Sequence, residues 1–488
     1  MTEFSFIPLF TWIVSLLAVP AILLFRRRAD AREGVTFVAA FLKLCMICMM
    51  LPLVKEGKIL RFTFGEILPG IPIEFRVDGL GMLFALVASS LWILTTLYSI
   101  GYMRGLKEHD QTRFFCCFAI SLSATIGVAF AGNLLTLYIF YEILSLSTYP
   151  LVTHHGDKEA RSGGRTYLSH LLGTSVAFAL PAMIYCYWKK EGDINFTDGS
   201  LLTTNIDSGA GLIVLLALTF GFAKNGLMPF HSWLPNAMVA PTPVSALLHA
   251  VAVVKVGVFC VIRVFTGVFG FALLKKLDVA VVVSWIAAFT VITSSLIALS
   301  QDNLKRRLAF STIGQLSYII LGVSLLSDFG VTGSILHVAM HAFGKITLFF
   351  CAGAIYVAMH KKYVSELVGI GRKMPITMTA FAIGSLSVIG LPVTGGLVSK
   401  WYLVMGTAES GQIALLVVFL ISSILNACYF LPIVYRAFFC RPEESLYEGG
   451  RQEAPLACLI PLCITALLSV LSFFNPGLFI ELAGLIIK

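Results

Sequence analysis

The sequence predicts an all-α membrane protein of about fourteen transmembrane helices, with two inverted five-helix repeats and two broken helices. Three observations predict it. The 488 residues are 58% hydrophobic and only 12% charged, with a mean hydropathy of +0.90. A soluble domain carries about 25% charged residues, so lipid is the solvent that suits this composition. The apolar residues gather into runs, each long enough for a hydrocarbon core of about 30 Å, which takes roughly 20 residues. Two of the runs carry Gly and Pro in mid-membrane sequence. The net charge of +9 does not point to nucleic acid, because the basic residues sit between apolar runs, where membrane loops place them.

The runs lie near 5–25, 36–54, 78–103, 114–131, 133–153, 166–188, 210–229, 243–266, 278–300, 308–326, 331–358, 375–400, 411–438 and 454–475. The first, Phe4 to Phe25, ends in Arg26, Arg27 and Arg28. Its charges follow the apolar stretch and no small-residue cleavage site comes after it, so it reads as a spanning helix with a stop signal. The fourth and fifth are parted only by Gly132 and Asn133, which requires a tight turn. The seventh contains GFAKNGLMPFHSWLP (221–235) and the twelfth GLPVTGGLVSK (390–400). Gly and Pro there free backbone groups and interrupt a helix. The two interruptions are five segments apart, the mark of repeats in transporters. The organisation expected is helices 1–3 in 1–110, a first repeat in 111–270, a second, inverted repeat in 271–440 and a last helix in 441–488.

Placing the first loop on the cytoplasmic side puts 20 of the 35 Lys and Arg on that side and 9 on the other; the remaining six, Lys43, Lys224, Lys255, Arg263, Lys345 and Lys400, fall within apolar runs. The asymmetry puts both termini outside an inner (plasma) membrane. Of the eleven cysteines, Cys45 and Cys48 have CxxC spacing, but both fall in a spanning segment with no second pair placed to complete a site. No phosphate loop, dinucleotide fingerprint or HExxH stands out either. No catalytic residue, metal, haem, flavin, iron–sulfur cluster or other cofactor is expected in this chain.

Ionised groups in lipid are costly and usually have a task. For Lys43 and Arg263, read as near helix ends, the plain account is a snorkelling or structural charge. Glu142, Lys224, Lys255, Lys345 and Lys400 fall deeper. Glu142 is the one acidic residue well inside an apolar run, and Lys224 is its economical partner. Burial makes it easier for a lysine to lose a proton, and a carboxylate moving away or back would switch that loading. His337, His341 and Lys345 are spaced i, i+4, i+8, which puts them on one helical face about 6 Å apart per step. Histidine titrates near pH 6.5, so such a file suits proton relay through bridging water. His249 and Lys255, six apart, share no face but could flank one water path.

At these residues the chain resembles the antiporter-like proton-channel family: the large membrane subunits of respiratory complex I, of membrane-bound hydrogenases and of multi-subunit Mrp cation/proton antiporters. The resemblance lies in VDGLGMLF (77–84), IFYEILSLSTYPLV (139–152), FAKNGLMPFHSWLPNAMVAPTPVSALLHAVAVVKVGVF (222–259), DNLKRRLAFSTIGQLSYIILG (302–322), ILHVAMHAFGKITLFFCAGA (335–354) and GLPVTGGLVSKW (390–401). It implies a midplane proton path through Glu142, Lys224, His249, Lys255, His337, His341, Lys345 and Lys400, with Glu142–Lys224 as input pair and Lys400 as outer gate. It also implies other membrane subunits as partners, protons and Na+ as the ions moved, and the bilayer as surroundings. Lysine at 400 departs from complex I subunits that carry glutamate there, and the D-type protein of the Mrp antiporters is the best match. Three classes stay open. They are one member of a cation/proton antiporter complex, the pumping subunit of a quinone- or ferredoxin-linked oxidoreductase, and a membrane partner in inorganic-carbon uptake.

Overall fold

The computed structural model describes residues 2–68, 70–196, 201–202, 206–441 and 450–487. Apolar runs of the predicted length form helices, and short polar residues start them. The helices are α1 (Ile7–Leu24), α2 (Ala29–Lys55), α3 (Gly79–Gly105), α4 (Gln111–Ala129), α5 (Leu134–Val152), α6 (Lys158–Thr174), α7 (Leu180–Lys189), α8 (Ser208–Gly221), α9 (Trp233–Asn236), α10 (Thr242–Ala246), α11 (Val253–Arg263), α12 (Phe271–Leu277), α13 (Ala280–Ser300), α14 (Leu304–Ser324), α15 (Asp328–Met359), α16 (Pro375–Ile389), α17 (Gly395–Glu409), α18 (Ile413–Phe439), α19 (Leu456–Phe474) and α20 (Gly477–Ile487). Asp78, Asn133, Asp157, Asp207, Asn303 and Ser327 each accept a backbone N–H two or three residues into the helix they precede, satisfying a donor left over at the helix start. Asn133 makes the tight turn between α4 and α5, where Gly132 lies against Glu74 with no room for a Cβ.

Among the described residues ten helices are long and apolar enough to cross a membrane, or eleven if the bent pair Val253–Phe269 and Phe271–Leu277 is one span. Fourteen were expected, and the difference has physical causes. α8 stops at Gly221, where the first interruption begins, and α16 stops at Ile389, where the second does. α14 has the length, but Ser311, Thr312, Gln315 and Ser317 dilute its apolar residues. The twelfth segment was also placed too short: after the interruption the chain continues helical to Glu409.

Three strands escaped the sequence reading. β2 (Ile59–Leu68) pairs antiparallel with β3 (Ile71–Val77), and β1 (Thr2–Phe4) adds parallel to β2. Arg61 and the buried Glu74 join the hairpin at 2.6 Å.

α1, α2 and α18 carry outward rows of large apolar side chains such as Leu17, Phe41 and Ile424, the surface that lipid or neighbouring subunits would cover. α15 lies innermost, buried without a gap from Gly330 to Ile355 and packed by α3, α14, α16, α17, α19 and α20. Many hydroxyls inside the bundle bond the carbonyl one turn back, as Thr95 does to Leu91 and Thr125 to Ser121, so these polar groups enter the apolar interior already satisfied.

Candidate functional site: a buried row of basic side chains

Two helix interruptions and the central helix place the predicted residues. At the first interruption α8 gives way to a 3-10 turn, Ala223–Asn225, closed by Gly226 at φ +73°. Side chains satisfy the backbone freed there. Asn225 Nδ2 donates to Thr219 O at 2.6 Å, Trp233 Nε1 to Ala223 O at 3.1 Å, and the Lys224 amide to the Tyr141 hydroxyl at 3.2 Å. Gly257 of α11 packs directly on this turn: a Cβ there would collide with the backbone of Lys224 and Asn225. The glycine thus brings the turn carrying Lys224 against the helix carrying Lys255.

Lys224 is fully buried and donates to Tyr141 O at 2.9 Å and Ser145 Oγ at 2.6 Å, with its ammonium over the Tyr141 ring. The expected direct pair with Glu142 is not formed in this arrangement. Among the described residues no carboxylate oxygen lies within 4.0 Å of Lys224, Lys255, Lys345 or Lys400. The reason is helical geometry. Tyr141 and Ser145, four apart, face the turn, whereas Glu142 is rotated about 100° away, on the side of exposed Leu146. Both Glu142 oxygens are buried without a hydrogen-bond partner, a state that calls for a donor to be brought to them.

The central helix supplies the next members. Lys255 Nζ of α11 and His341 Nδ1 of α15 are 2.7 Å apart. A hydrogen bond between two basic nitrogens needs a lone pair, so at least one of the two is uncharged while it stands. One turn on, His337 stacks on His341, with ring centroids 5.6 Å apart and planes 10° from parallel. His337 is held through both ring nitrogens, by Ser399 Oγ at 2.8 Å and Gln315 Oε1 at 3.1 Å. It also stacks on Tyr318, with ring centroids 5.8 Å apart, and the Lys400 ammonium sits over that same tyrosine at 4.7 Å. Lys345, one turn along α15 in the other direction, donates to Ser311 Oγ at 2.8 Å, which also accepts from the Tyr429 hydroxyl.

Lys400 lies in the second turn of α17 and reaches back to donate to Ile389 O at 2.9 Å, the last carbonyl of α16. A carbonyl freed by the second interruption is thereby met by the lysine itself. Gly390 at φ +88° leaves room for the Lys400 stem, and Gly396 lies flat on Ser387. Val393 holds φ +69°, a strained position for a β-branched residue. The backbone of His249 forms part of the π-helical turn Leu247–Val251; its side chain lies outside the described residues.

The sequence pattern of the NADH:quinone oxidoreductase/Mrp antiporter transmembrane family matches residues 131–426, more than half the chain and every member of the row. The chain belongs to that family. An N-terminal pattern described for complex I chain 5 matches residues 69–115. This antiporter-like membrane protein is 33% identical to the NADH-quinone oxidoreductase subunit N of Desulforudis audaxviator, over 96% of this chain and 94% of the relative. It is 29% identical to a Rhizobium meliloti protein described as a probable K(+)/H(+) antiporter component of the A/B type, over 92% of this chain but only 47% of that longer relative. In fold it matches a chain of the archaeal membrane-bound sulfane sulfur reductase (TM-score 0.87, 23% identity, 99% and 98% covered). It also matches a chain of the Mrp complex from Dietzia (TM-score 0.87, 20% identity, 99% and 96% covered).

Two further charges in this family member are now placed. Lys43 is no snorkelling end residue. It sits midway along α2, fully buried, donating to Leu122 O at 3.2 Å with its ammonium over Trp92. Arg263 does have a structural partner: it grips Asp78 through two bonds, at 2.5 and 3.0 Å, and ties the end of α11 to the start of α3. The polar supports Tyr141, Ser145, Ser311, Gln315, Tyr318 and Ser399 were not singled out from sequence. Tyr141/Ser145 and Ser311/Gln315 have the same i, i+4 spacing that marked the histidines, and that signal could have found them.

Proposed function

We propose that this chain is the proton-translocating membrane subunit of a multi-subunit complex. Protons pass along Lys224, Lys255, His341, His337 and Lys400, with Glu142 at the input end, His249 flanking and Lys345 as a side store. The carrying observation is the Lys255–His341 contact at 2.7 Å, continued by the His341–His337 stack and by Tyr318 to Lys400. Basic groups that share a hydrogen bond hold fewer protons than sites, the condition for handing one on. Glu142, buried without a donor, supplies the switch: bringing the Lys224 ammonium across to it would load that lysine, and returning it to Tyr141 and Ser145 would release it.

For coupling, the reading is monovalent cation (Na+/H+) antiport in the manner of a D-type Mrp protein, with other membrane subunits of the complex as partners. Lysine rather than glutamate at 400 and the fold shared with an Mrp complex chain support it. The 33% identity with a subunit N over nearly the full length of both favours a second reading, a pumping subunit of an NADH:quinone oxidoreductase or hydrogenase-type complex. The two interruptions, five segments apart, support the reading of 111–270 and 271–440 as inverted repeats, and the loop charges support termini on the outer side.

Everted vesicles containing the complex test the proposal. Glu142→Ala and Lys224→Ala are expected to abolish coupled proton flux while the complex still assembles. Normal flux in both would refute the assignment. Flux driven by a Na+ gradient selects antiport; flux requiring an electron donor and quinone selects the second reading.

A further inference from the structure

At the loop end of the bundle, where Arg104 pairs with Asp30 and Glu33, four ligand-type side chains converge outside the basic row. Glu108 and His109 come from the loop between α3 and α4. His154 and His155 follow α5. Glu108 Oε2 lies 3.7 Å from His155 Nδ1, 3.8 Å from His154 Nε2 and 4.0 Å from His109 Nδ1. Ligand atoms of Glu108, His109 and His154 all fall within 4.8 Å of one another. These spacings are too long for hydrogen bonds. They are slightly wider than the separation of about 3.4 Å between ligand atoms around a tetrahedral ion with bonds near 2.1 Å.

A second observation points to a ligand. The His154 side chain has no exposed surface, and neither of its ring nitrogens has a hydrogen-bond partner. A buried polar ring with nothing to bond is rare in folded proteins, and an ion at the Glu108 carboxylate would meet one of those nitrogens. His109 is already oriented. Its Nε2 is 3.0 Å from His154 O; a carbonyl only accepts, so Nε2 carries the hydrogen and Nδ1 turns its lone pair toward Glu108. That is the outer-shell bond by which metal-binding histidines are usually fixed. Arg113 bonds the same carbonyl at 3.2 Å, and its charge is paired with Asp110 at 3.3 Å. The cluster borders a cleft of about 480 Å³ that Glu108 and His155 share with Asp157, Glu159 and Lys305, which gives an ion a way in.

We propose that Glu108, His109 and His154 form a binding site for one divalent transition-metal ion of the zinc class, with His155 beside the shared carboxylate. Two imidazoles with one carboxylate suit Zn2+, whereas Mg2+ and Ca2+ take all-oxygen sets and Cu+ favours sulfur. The expectation of no metal rested on cysteines and short motifs. His109 and His154 are 45 positions apart, so no local spacing could reveal the site. A bound ion would clip the α3–α4 loop to the end of α5, the helix whose Tyr141 and Ser145 hold Lys224.

The test is Zn2+ titration of the purified full chain in detergent against a chromophoric chelator, with thermal unfolding alongside. Wild type is expected to bind one equivalent and to unfold at higher temperature with Zn2+. His109→Ala and Glu108→Gln, both at positions that are not fully buried, are expected to weaken binding at least tenfold and to lose the shift. Absence of a one-equivalent site in wild type overturns the proposal, and so does undiminished affinity in either variant. Both variants are expected to keep wild-type proton flux in metal-free buffer, because neither residue belongs to the row; loss of that flux would place them in the path instead and overturn the separate metal site.

Discussion

At the scale of single residues, Lys224 and its cradle make the sharpest demands. The ammonium must release a proton as well as hold one. Lys224→Arg keeps the charge but supplies a guanidinium that stays protonated at any usable pH; coupled flux in vesicles should fall to background with assembly intact. Ser145→Ala removes one of two side-chain or backbone acceptors of that ammonium. A hydrogen bond to a charged group contributes about 1.5–3 kcal/mol, so flux should drop by roughly tenfold or more, and an unchanged rate would show the serine to be packing. Replacing His337 and His341 together by Phe keeps the aromatic stack and removes the titratable nitrogens. Transport should slow with expression largely intact, and unchanged rates from pH 6 to 9 would make both histidines filler. The titratable members were legible in sequence because charge in an apolar run is conspicuous. The direction in which Glu142 points was not. A one-residue difference on α5 rotates a side chain by about 100°, and only the packed turn shows that Tyr141 and Ser145, rather than Glu142, face Lys224.

At the scale of elements, the interruptions carry the design. Gly and Pro at 221–235 and 390–400 announced both breaks. How the freed backbone is satisfied was hidden, because Asn225, Trp233 and Lys400 reach it through tertiary contacts. The hairpin of β2 and β3 was missed because its residues fell in a loop between two strong helical runs. Lys43 was misjudged because its distance from the helix end depends on α2 beginning at Ala29, seven residues before the apolar run. Gly257 brings two elements of the row into direct contact. In Gly257→Ala the new methyl would overlap backbone at Lys224 and Asn225, which cannot yield as a flexible side chain does. Overpacking of this kind costs about 1–3 kcal/mol. A lower thermal midpoint together with reduced flux is expected, and a variant with wild-type values of both would show that the turn and α11 need not touch.

At the scale of the whole molecule, the row runs from the first interruption through the central helix to the second, so conduction requires all three. Lys400 tests that continuity because it combines the far end of the row with the freed carbonyl of Ile389. The decisive measurement is proton flux in everted vesicles for wild type, Lys400→Ala and Lys400→Glu at matched expression. The row predicts that alanine blocks net flux, since the row then loses its last basic member beyond His337, and that glutamate retains part of it, since a carboxylate also carries a proton. Wild-type flux from Lys400→Ala would contradict the account and leave Lys400 a structural charge that caps a broken helix.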